Sequence, residues 1–203
     1  MTEILSKLKE LTAPYHIKLE ENPYAKAIMD NRLTIDEYRA YLEKFYTFLS
    51  PLEAIFEQRT EWSERGFDFE PRRKLDLLEQ DLQALGASEA ELRELPRCTK
   101  LPELSTFPQV LGSLYVWEGS TLGGQIITKK LQSYLPIEPA AGGSYFYSYG
   151  PDTRTRWQEF RELLTAEITS EEAVEEAVAA ASDTFRLFDQ WLAEKPESVT
   201  SEP

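Results

Sequence analysis

The sequence is poor in sulfur and imidazole side chains: among 203 residues it has one cysteine, one histidine and two methionines. The single thiol, Cys98, cannot form a disulfide within the chain, so we expect the protein to act in a reducing compartment. We interpret Cys98 as a packed thiol, because a catalytic thiol would need a partner base and there is no second histidine to serve as one. One histidine also excludes a di-iron carboxylate bundle, which needs paired Glu-x-x-His motifs.

Positive charge is scarce as well. The 22 lysines and arginines are outnumbered by 36 aspartates and glutamates, which gives a formal net charge of −14 at pH 7. Such a chain is poorly suited to bind nucleic acid or an anionic membrane surface, so we expect neither partner. The charge does not exclude a basic electron-donor protein, nor an anionic small ligand held by a local cationic patch.

Long apolar runs are also missing. No run approaches the ~20 residues that a helix needs to span a bilayer. Residues 1–7 lack the apolar core of a secretory signal peptide. We therefore expect a soluble, cytoplasmic protein, with a monomer as the default state.

Apolar side chains recur at helical spacing along almost the whole chain, which is 41% hydrophobic and 12% aromatic. Only residues 144–150 have a strand-like composition, and because that stretch is short and isolated we interpret it as a packed loop or a helical turn. These patterns predict an all-α fold. We expect one helical domain over residues 1–195 and a polar, disordered tail at residues 196–203.

Capping residues and prolines indicate where the helices begin and end. Thr34 and Glu37 have the spacing of a capping box, and Ser170 is placed to begin a last helix that runs to about residue 194. Pro14 is expected to bend or restart the first helix, and Pro51 to kink or break a later one.

Two patterns in the middle of the chain predict longer helices. Pro71 is expected to start a helix that Gly86 stops. Residues 107–135 are predicted to form one long helix that is interrupted at residues 119–124. Three glycines within those six positions cost about 2–3 kcal/mol relative to alanines in a helix, so their presence calls for an explanation.

Two explanations of these glycines remain open. Gly119 and Gly123 lie one turn apart, so the glycines could serve close packing between helices. Alternatively, a flat ligand could press on bare backbone, which only glycine permits. In the second case Ser120 would point a hydroxyl from that wall, and Tyr115 would lie one turn before Gly119.

His16 is the other residue that suggests a function. A lone histidine is more often a packed or surface residue than a ligand. Glu20, however, lies four residues later on the same helix face. Metal-binding imidazoles usually have their second nitrogen hydrogen-bonded, and a carboxylate can accept that bond directly or through a water. Lys9 lies two turns before His16 on roughly the same face.

These residues carry a family resemblance. The segment after Lys9, which reads Thr12-Ala13-x-x-His16-x-x-Leu19-Glu20, is similar to the proximal helix of haem oxygenases. The later segment is similar to their distal helix in its bacterial form and reads Leu114-Tyr115-Val116-Trp117-Glu118-Gly119-Ser120-Thr121-Leu122-Gly123-Gly124. Further similarities to the family extend the match over residues 8–192, nearly the whole chain.

The resemblance implies a reaction: oxidative cleavage of haem to biliverdin, carbon monoxide and ferrous iron. Haem b would lie between the two helices as both cofactor and substrate. Oxygen and the electrons would be consumed in the reaction, the electrons coming from a ferredoxin or a flavoprotein reductase.

It also implies roles for single residues. His16 would be the axial ligand of the haem iron and Glu20 its hydrogen-bonding partner. Lys9 and Tyr115 would contact the propionates. The distal, catalytic wall would consist of four residues, which are Gly119, Ser120, Gly123 and Gly124.

One position departs from the family pattern. Ser120 stands where mammalian-type members have an aspartate that organises distal water, which leaves open which group orders that water here. Glu118 is adjacent but would point about 100° away around the helix, so we assign it no role. The partner of the second propionate is also open, since Arg154, Arg156 and Arg161 could equally form surface ion pairs.

Three alternatives compete with haem cleavage. The protein could bind haem for storage, transport or sensing without degrading it. It could be a helical scaffold without a cofactor, in which case replacing His16 would change little. A cofactor-free enzyme on a similar fold, such as a thiamin-salvage enzyme, would need a placed nucleophilic thiol, and Cys98 lies in a proline-flanked loop instead.

Overall fold

A computed structural model describes residues 3–194, and within that range the chain is helical with no strand. Its only β-type pairings are isolated bridges of Glu138 with Ala141 and Gly142. The predicted all-α fold is confirmed. The ten α-helices of the described range are α1 Glu3–Glu20, α2 Pro23–Met29, α3 Ile35–Glu57, α4 Glu61–Glu64, α5 Leu75–Ala84, α6 Glu89–Glu94, α7 Phe107–Gln132, α8 Ser144–Tyr147, α9 Thr153–Glu167 and α10 Glu171–Ala193.

Helix α7 is the centre of the bundle, and α10 packs along it more extensively than any other helix. A glycine makes this approach possible. A Cβ added to Gly112 would overlap the backbone carbonyl of Ala177 on α10. Helix α1 packs in turn on α10.

Aromatic rings fill the space between α3, α7 and α10. The ring of Phe188 on α10 lies 4.7 Å from that of Phe45 and 5.0 Å from that of Phe48, both on α3. Trp117 on α7 closes the cluster, with its ring 5.3 Å from Phe188. These contacts fix the three helices that form much of the functional site described below.

Neither internal proline breaks its helix. Helix α1 is continuous through Pro14 and α3 through Pro51, so the break considered at Pro51 is absent. A proline leaves the carbonyl four residues earlier without its helical partner. For Pro51 that carbonyl belongs to Thr47, and it accepts a hydrogen bond of 3.0 Å from the backbone N–H of Cys98.

Cys98 is a packed thiol, as the sequence predicted. Its residue is 5% exposed, and its Sγ lies 3.4 Å from the carbonyl oxygen of Lys100. Burial raises the pKa of the thiol, which disfavours the reactive thiolate.

The predicted capping box is present: the side chain of Thr34 accepts from the N–H of Glu37, whose carboxylate accepts from the N–H of Thr34. The helix expected from Pro71 begins later, at Leu75, because Pro71 lies in a short 3₁₀ turn, Glu70–Arg72. The buried carboxylate of Glu53 accepts from the N–H groups of Lys74, at 2.7 Å, and Leu75, at 3.3 Å. This cap from α3 sets the start of α5, and Gly86 follows its end with a φ of +90°.

The predicted interruption of the long helix at residues 119–124 was wrong, because α7 is one continuous α-helix from Phe107 to Gln132. Its glycines have no positive φ, so they are not needed for an unusual backbone conformation. Packing on α10 and α8 stabilises the helix despite their low helix propensity.

Two further predictions agree with the structure. Residues 144–147 form the helical turn α8, and Ser170 caps α10. No helix within residues 3–194 combines the length and the apolarity that crossing a membrane requires. The predicted tail at residues 196–203 lies outside the described residues.

Candidate functional site

A cleft of about 910 Å³, including its open mouth, lies between α1 and α7. Helices α3, α8 and α10 contribute aromatic side chains to its inner surface, which are Tyr41, Phe45, Tyr145, Phe146, Phe185 and Phe188. A concave surface with a largely apolar lining is typical of a site for a small organic ligand or cofactor. The cleft is therefore the candidate functional site.

His16 projects from α1 at the edge of this cleft. Its side chain is 54% exposed, and its ring meets the ring of Phe185 edge-on at 5.7 Å. The Nδ1 atom lies 3.6 Å from a carboxylate oxygen of Glu20, which also lines the cleft. His16 and Glu20 thus share one helix face, as predicted. The Nε2 atom of His16 faces no protein partner among residues 3–194.

Helix α7 forms the opposite wall. Gly123 leaves open space there, since an added Cβ would meet no heavy atom within 4 Å. Ser120 lines the same wall, but its hydroxyl donates a 2.8 Å hydrogen bond to the carbonyl of Trp117. The Ser120 hydroxyl is thus held against its own helix.

The other two glycines of this wall have structural neighbours. A Cβ on Gly124 would overlap the backbone carbonyl of Phe146, so Gly124 allows α8 to approach α7. Gly119 faces Trp157, whose ring lies 3.6 Å from the position of an added Cβ, and it does not line the cleft. Close packing thus explains Gly124. At Gly123, by contrast, the bare backbone faces the open space of the cleft.

The two predicted propionate contacts lie outside the lining of the cleft. Lys9 is exposed and forms no ion pair with any residue from 3 to 194. Tyr115 packs on Trp157, with ring centroids 5.6 Å apart, and burial raises the pKa of its phenol.

The three arginines left open by the sequence also lie away from the cleft. Arg156 forms an ion pair with Glu159, with Nη1 3.3 Å from the carboxylate, which is the surface role weighed for it. Arg154 is exposed and Arg161 half-buried, and neither lines the cleft.

Sequence reasoning missed a buried group of charges behind the cleft. Glu118 is fully buried on α7, and Arg72 donates to its carboxylate at 2.6 Å. The hydroxyl of Tyr149 donates to the other carboxylate oxygen, also at 2.6 Å. The ammonium of Lys74 lies 3.7 Å from that second oxygen, and Lys74 lines the cleft.

Burial governs the ionisation of this group. It lowers the pKa of Lys74 to about 8, although Glu118 opposes the shift. Burial, reinforced by the Glu118 carboxylate, raises the pKa of the Tyr149 phenol far above its usual range. The signal in the sequence was Glu118 itself, an acid within the most apolar part of a helix, where a charge needs buried partners.

The chemistry of the cleft suits a flat, apolar ligand that carries a metal ion. One imidazole with an unpartnered nitrogen offers an axial ligand, aromatic walls cover an apolar ring, and Gly123 leaves space above it. No cluster of three or more histidine, cysteine or acidic side chains that could hold a bare metal ion occurs in the part of the chain that the structure describes.

Comparison with known proteins supports this interpretation. The family model described as Heme oxygenase matches residues 2–194. A heme oxygenase of Xanthomonas campestris pv. campestris (strain 8004) is 27% identical over 170 residues, which cover 83% of this chain and 96% of the relative.

Solved structures show the same fold. The heme oxygenase of Leptospira interrogans has a TM-score of 0.75 at 20% identity, and the match covers 95% of this chain and 99% of that one. A heme oxygenase-1 of the cyanobacterium Synechocystis sp. PCC6803, solved in complex with heme, has a TM-score of 0.76 at 20% identity, covering 95% and 91%. The heme oxygenase of Neisseria meningitidis has a TM-score of 0.74 at 21% identity, and the match covers 96% of this chain and 94% of that one.

Proposed function

Because this chain belongs to the haem oxygenase family and is a haem oxygenase by that membership, we propose that it opens the ring of haem b to biliverdin. Carbon monoxide and ferrous iron are the other products. Oxygen is a co-substrate, and the electrons come from a separate ferredoxin or flavoprotein reductase.

One observation carries the proposal: His16 and Gly123 lie on opposite walls of a single apolar cleft. His16 supplies the one imidazole that an axial ligand needs. Gly123 supplies a wall without a side chain on the other side. These are the two features that a haem needs if its far face is to stay accessible to oxygen.

When bound, haem supplies the iron that takes up oxygen and the ring that is cleaved. The protein residues position it. His16 binds the iron through its free nitrogen, and Glu20, 3.6 Å from Nδ1, orients the imidazole. As a ligand of the iron, a neutral imidazole would be a milder donor than the thiolate that favours O–O cleavage.

The wall formed by α7 would bound, by its shape, the space in which oxygen reacts. Ser120, Gly123 and Gly124 line the cleft, and Gly124 lets α8 close on α7 behind it. Gly119 supports that wall from the side of Trp157. We assign these four residues to the distal side of the reaction.

Lys9 and Tyr115 are proposed to contact the propionates. The Lys9 ammonium and the Tyr115 hydroxyl have no partner among the described residues, so both are available to carboxylates. The net charge of −14 also suits a basic electron donor. A monomer in the reducing cytoplasm is consistent with the single buried thiol.

Storage, transport or sensing of haem is the second candidate. It is favoured by Ser120, whose hydroxyl is bonded to the Trp117 carbonyl and so supplies no free carboxylate to the distal side. A binding protein of this kind would hold haem on His16 and leave it intact.

Titration of the purified protein with hemin, followed by addition of reductant and oxygen, separates the candidates. We expect a saturable one-to-one Soret band that bleaches while a biliverdin band grows, with catalase present to remove hydrogen peroxide. A stable Soret band in the presence of a competent donor protein would indicate haem storage or sensing. Absence of binding would leave His16 and the glycines with purely structural roles.

A further inference from the structure

The buried charged group behind the cleft contains more residues than a single ion pair. We call them the Lys74 cluster, which consists of Arg72, Lys74, Glu118, Tyr149 and Glu159. Both carboxylate oxygens of Glu118 already accept a hydrogen bond of 2.6 Å, one from Arg72 and one from Tyr149. Arg72 is further satisfied by Glu159, at 2.9 Å. Each carboxylate oxygen of Glu118 therefore has a closer donor than Lys74.

Lys74 is the group left over. Its ammonium nitrogen is buried, and no hydrogen-bond acceptor reaches it among residues 3–194. The nearest carboxylate oxygen, on Glu118, is 3.7 Å away, and the ring centroid of Tyr149 is also 3.7 Å away. Burying an ammonium without an acceptor is costly, so its position calls for an acceptor that the protein itself does not provide.

That acceptor would lie in the cleft. Lys74 is one of the residues that line it, and it is the one cation among them. Trp117 also lines the cleft, and its indole N–H is buried without a partner. Two orphan donors on one cavity indicate a water or a ligand oxygen that accepts from them.

We propose that Lys74 is a positioning residue of the haem reaction: its ammonium donates to the water on the distal side of the cleft and holds it in place. The inference rests on the proposed function. It answers the question that Ser120 raises, since the wall formed by α7 offers no free acid to order that water. The fixed Arg72–Glu118–Tyr149 network holds the lysine in place.

The charges that face Lys74 come from every side. Glu118 lies on α7, Glu53 on α3, Arg72 in the 3₁₀ turn before α5, and the Tyr149 phenol after α8. Burial lowers the pKa of Lys74 to about 8, so the ammonium is the main form at pH 7. A group of this kind can both hold a water and return a proton to it.

The test compares Lys74→Met, Lys74→Arg and the control Lys129→Met, which removes an exposed lysine of α7 outside the cleft. The readout is the pH midpoint of the acid–alkaline optical transition of the ferric haem complex. We expect Lys74→Met to raise this midpoint, because the Lys74 ammonium, where it is charged, stabilises the deprotonated form of the water. Lys74→Arg should keep it near the wild-type value, as should Lys129→Met.

An unchanged midpoint in Lys74→Met would overturn the proposal. If circular dichroism shows that this variant does not fold, the test uses the wild-type protein instead. The ε-carbon signal of Lys74, assigned with Lys74→Arg, is then titrated by NMR without haem and in the diamagnetic ferrous haem–carbon monoxide complex. Haem that covers the cleft should shift its midpoint, and equal midpoints would contradict contact between this lysine and the distal side.

The outcomes distinguish this proposal from the proposed function. Wild-type protein that neither binds nor degrades haem would contradict the function itself. Normal haem cleavage in the wild type, together with an unaltered midpoint and unaltered turnover in Lys74→Met, would contradict only the role of Lys74.

Discussion

At the scale of single residues, the candidate site depends on an exposed histidine, His16, and on a glycine, Gly123. His16 reaches into solvent with 54% of its side chain exposed, so it costs little to keep in place and is free to bind a ligand. Gly123 has no neighbour within 4 Å of its Cβ position, so packing does not require a glycine there. Both features fit the proposed haem, which would lie between these two residues.

Replacing His16 tests the first of these residues. His16→Ala should lose the histidine-ligated spectrum of the haem complex, and added imidazole should restore it. The free energy of unfolding of the apoprotein should change by less than about 0.5 kcal/mol, because the side chain is on the surface. A wild-type spectrum in this variant would contradict the assignment of the iron ligand.

Gly123 and Gly124 are adjacent in the sequence, but the structure gives them different roles. Gly123→Val should leave the fold intact and weaken haem binding, because its side chain would enter open ligand space. Gly124→Val should lower the free energy of unfolding by about 1–3 kcal/mol or more, because its Cβ would overlap the Phe146 carbonyl. Thermal unfolding and hemin titration of both variants check this, and equal stability of the two would refute it.

At the scale of elements, the sequence predicted those helix ends that are capped by residues close by in the chain. The capping box of Thr34 and Glu37 and the cap at Ser170 each span three residues, and both are present. The start of α5 could not be read from its own sequence, because the cap is Glu53 on another helix, 21 residues earlier. Likewise, the glycines of α7 suggested an interruption, but the helix packs on several neighbours, α8 and α10 among them, and is continuous.

The Glu53 cap is open to a direct test. Glu53→Ala should lower the free energy of unfolding by about 2 kcal/mol, since it leaves two backbone N–H groups of α5 unpaired in a buried setting. Glu57→Ala, one turn later on α3 and half-exposed, is the matched control and should cost much less. Urea denaturation of both variants provides the measurement, and an equal loss would contradict the capping role.

At the scale of the whole molecule, the cleft is assembled from helices far apart in the chain. The sequence motifs identified its two sides, His16 on α1 and the glycines on α7, because each motif lies within one helix. The deep end was not predictable, because Lys74, Glu118 and Tyr149 meet only when three segments fold together. Contacts between segments that are distant in the chain leave no periodic pattern in its sequence.

The buried Lys74 should also affect the stability of the whole protein as the pH changes. Its pKa of about 8 in the folded state lies below the ordinary value of 10.5. Between these values the unfolded chain binds more protons, so this residue makes stability rise with pH. We expect the free energy of unfolding of the wild type, relative to Lys74→Met, to increase by on the order of 2 kcal/mol from pH 8 to pH 10.5. Urea denaturation at both pH values measures this, and a constant difference would contradict the shifted pKa.

The central claim is that this chain cleaves haem, and the most direct measurement is the carbon monoxide released per haem consumed. Hemin-loaded protein is given a reducing system and oxygen, with catalase present, and the headspace gas is quantified while the bilin is identified by mass. The account predicts one molecule of carbon monoxide per haem, together with biliverdin. Intact haem and no carbon monoxide, with a competent electron donor present, would contradict it.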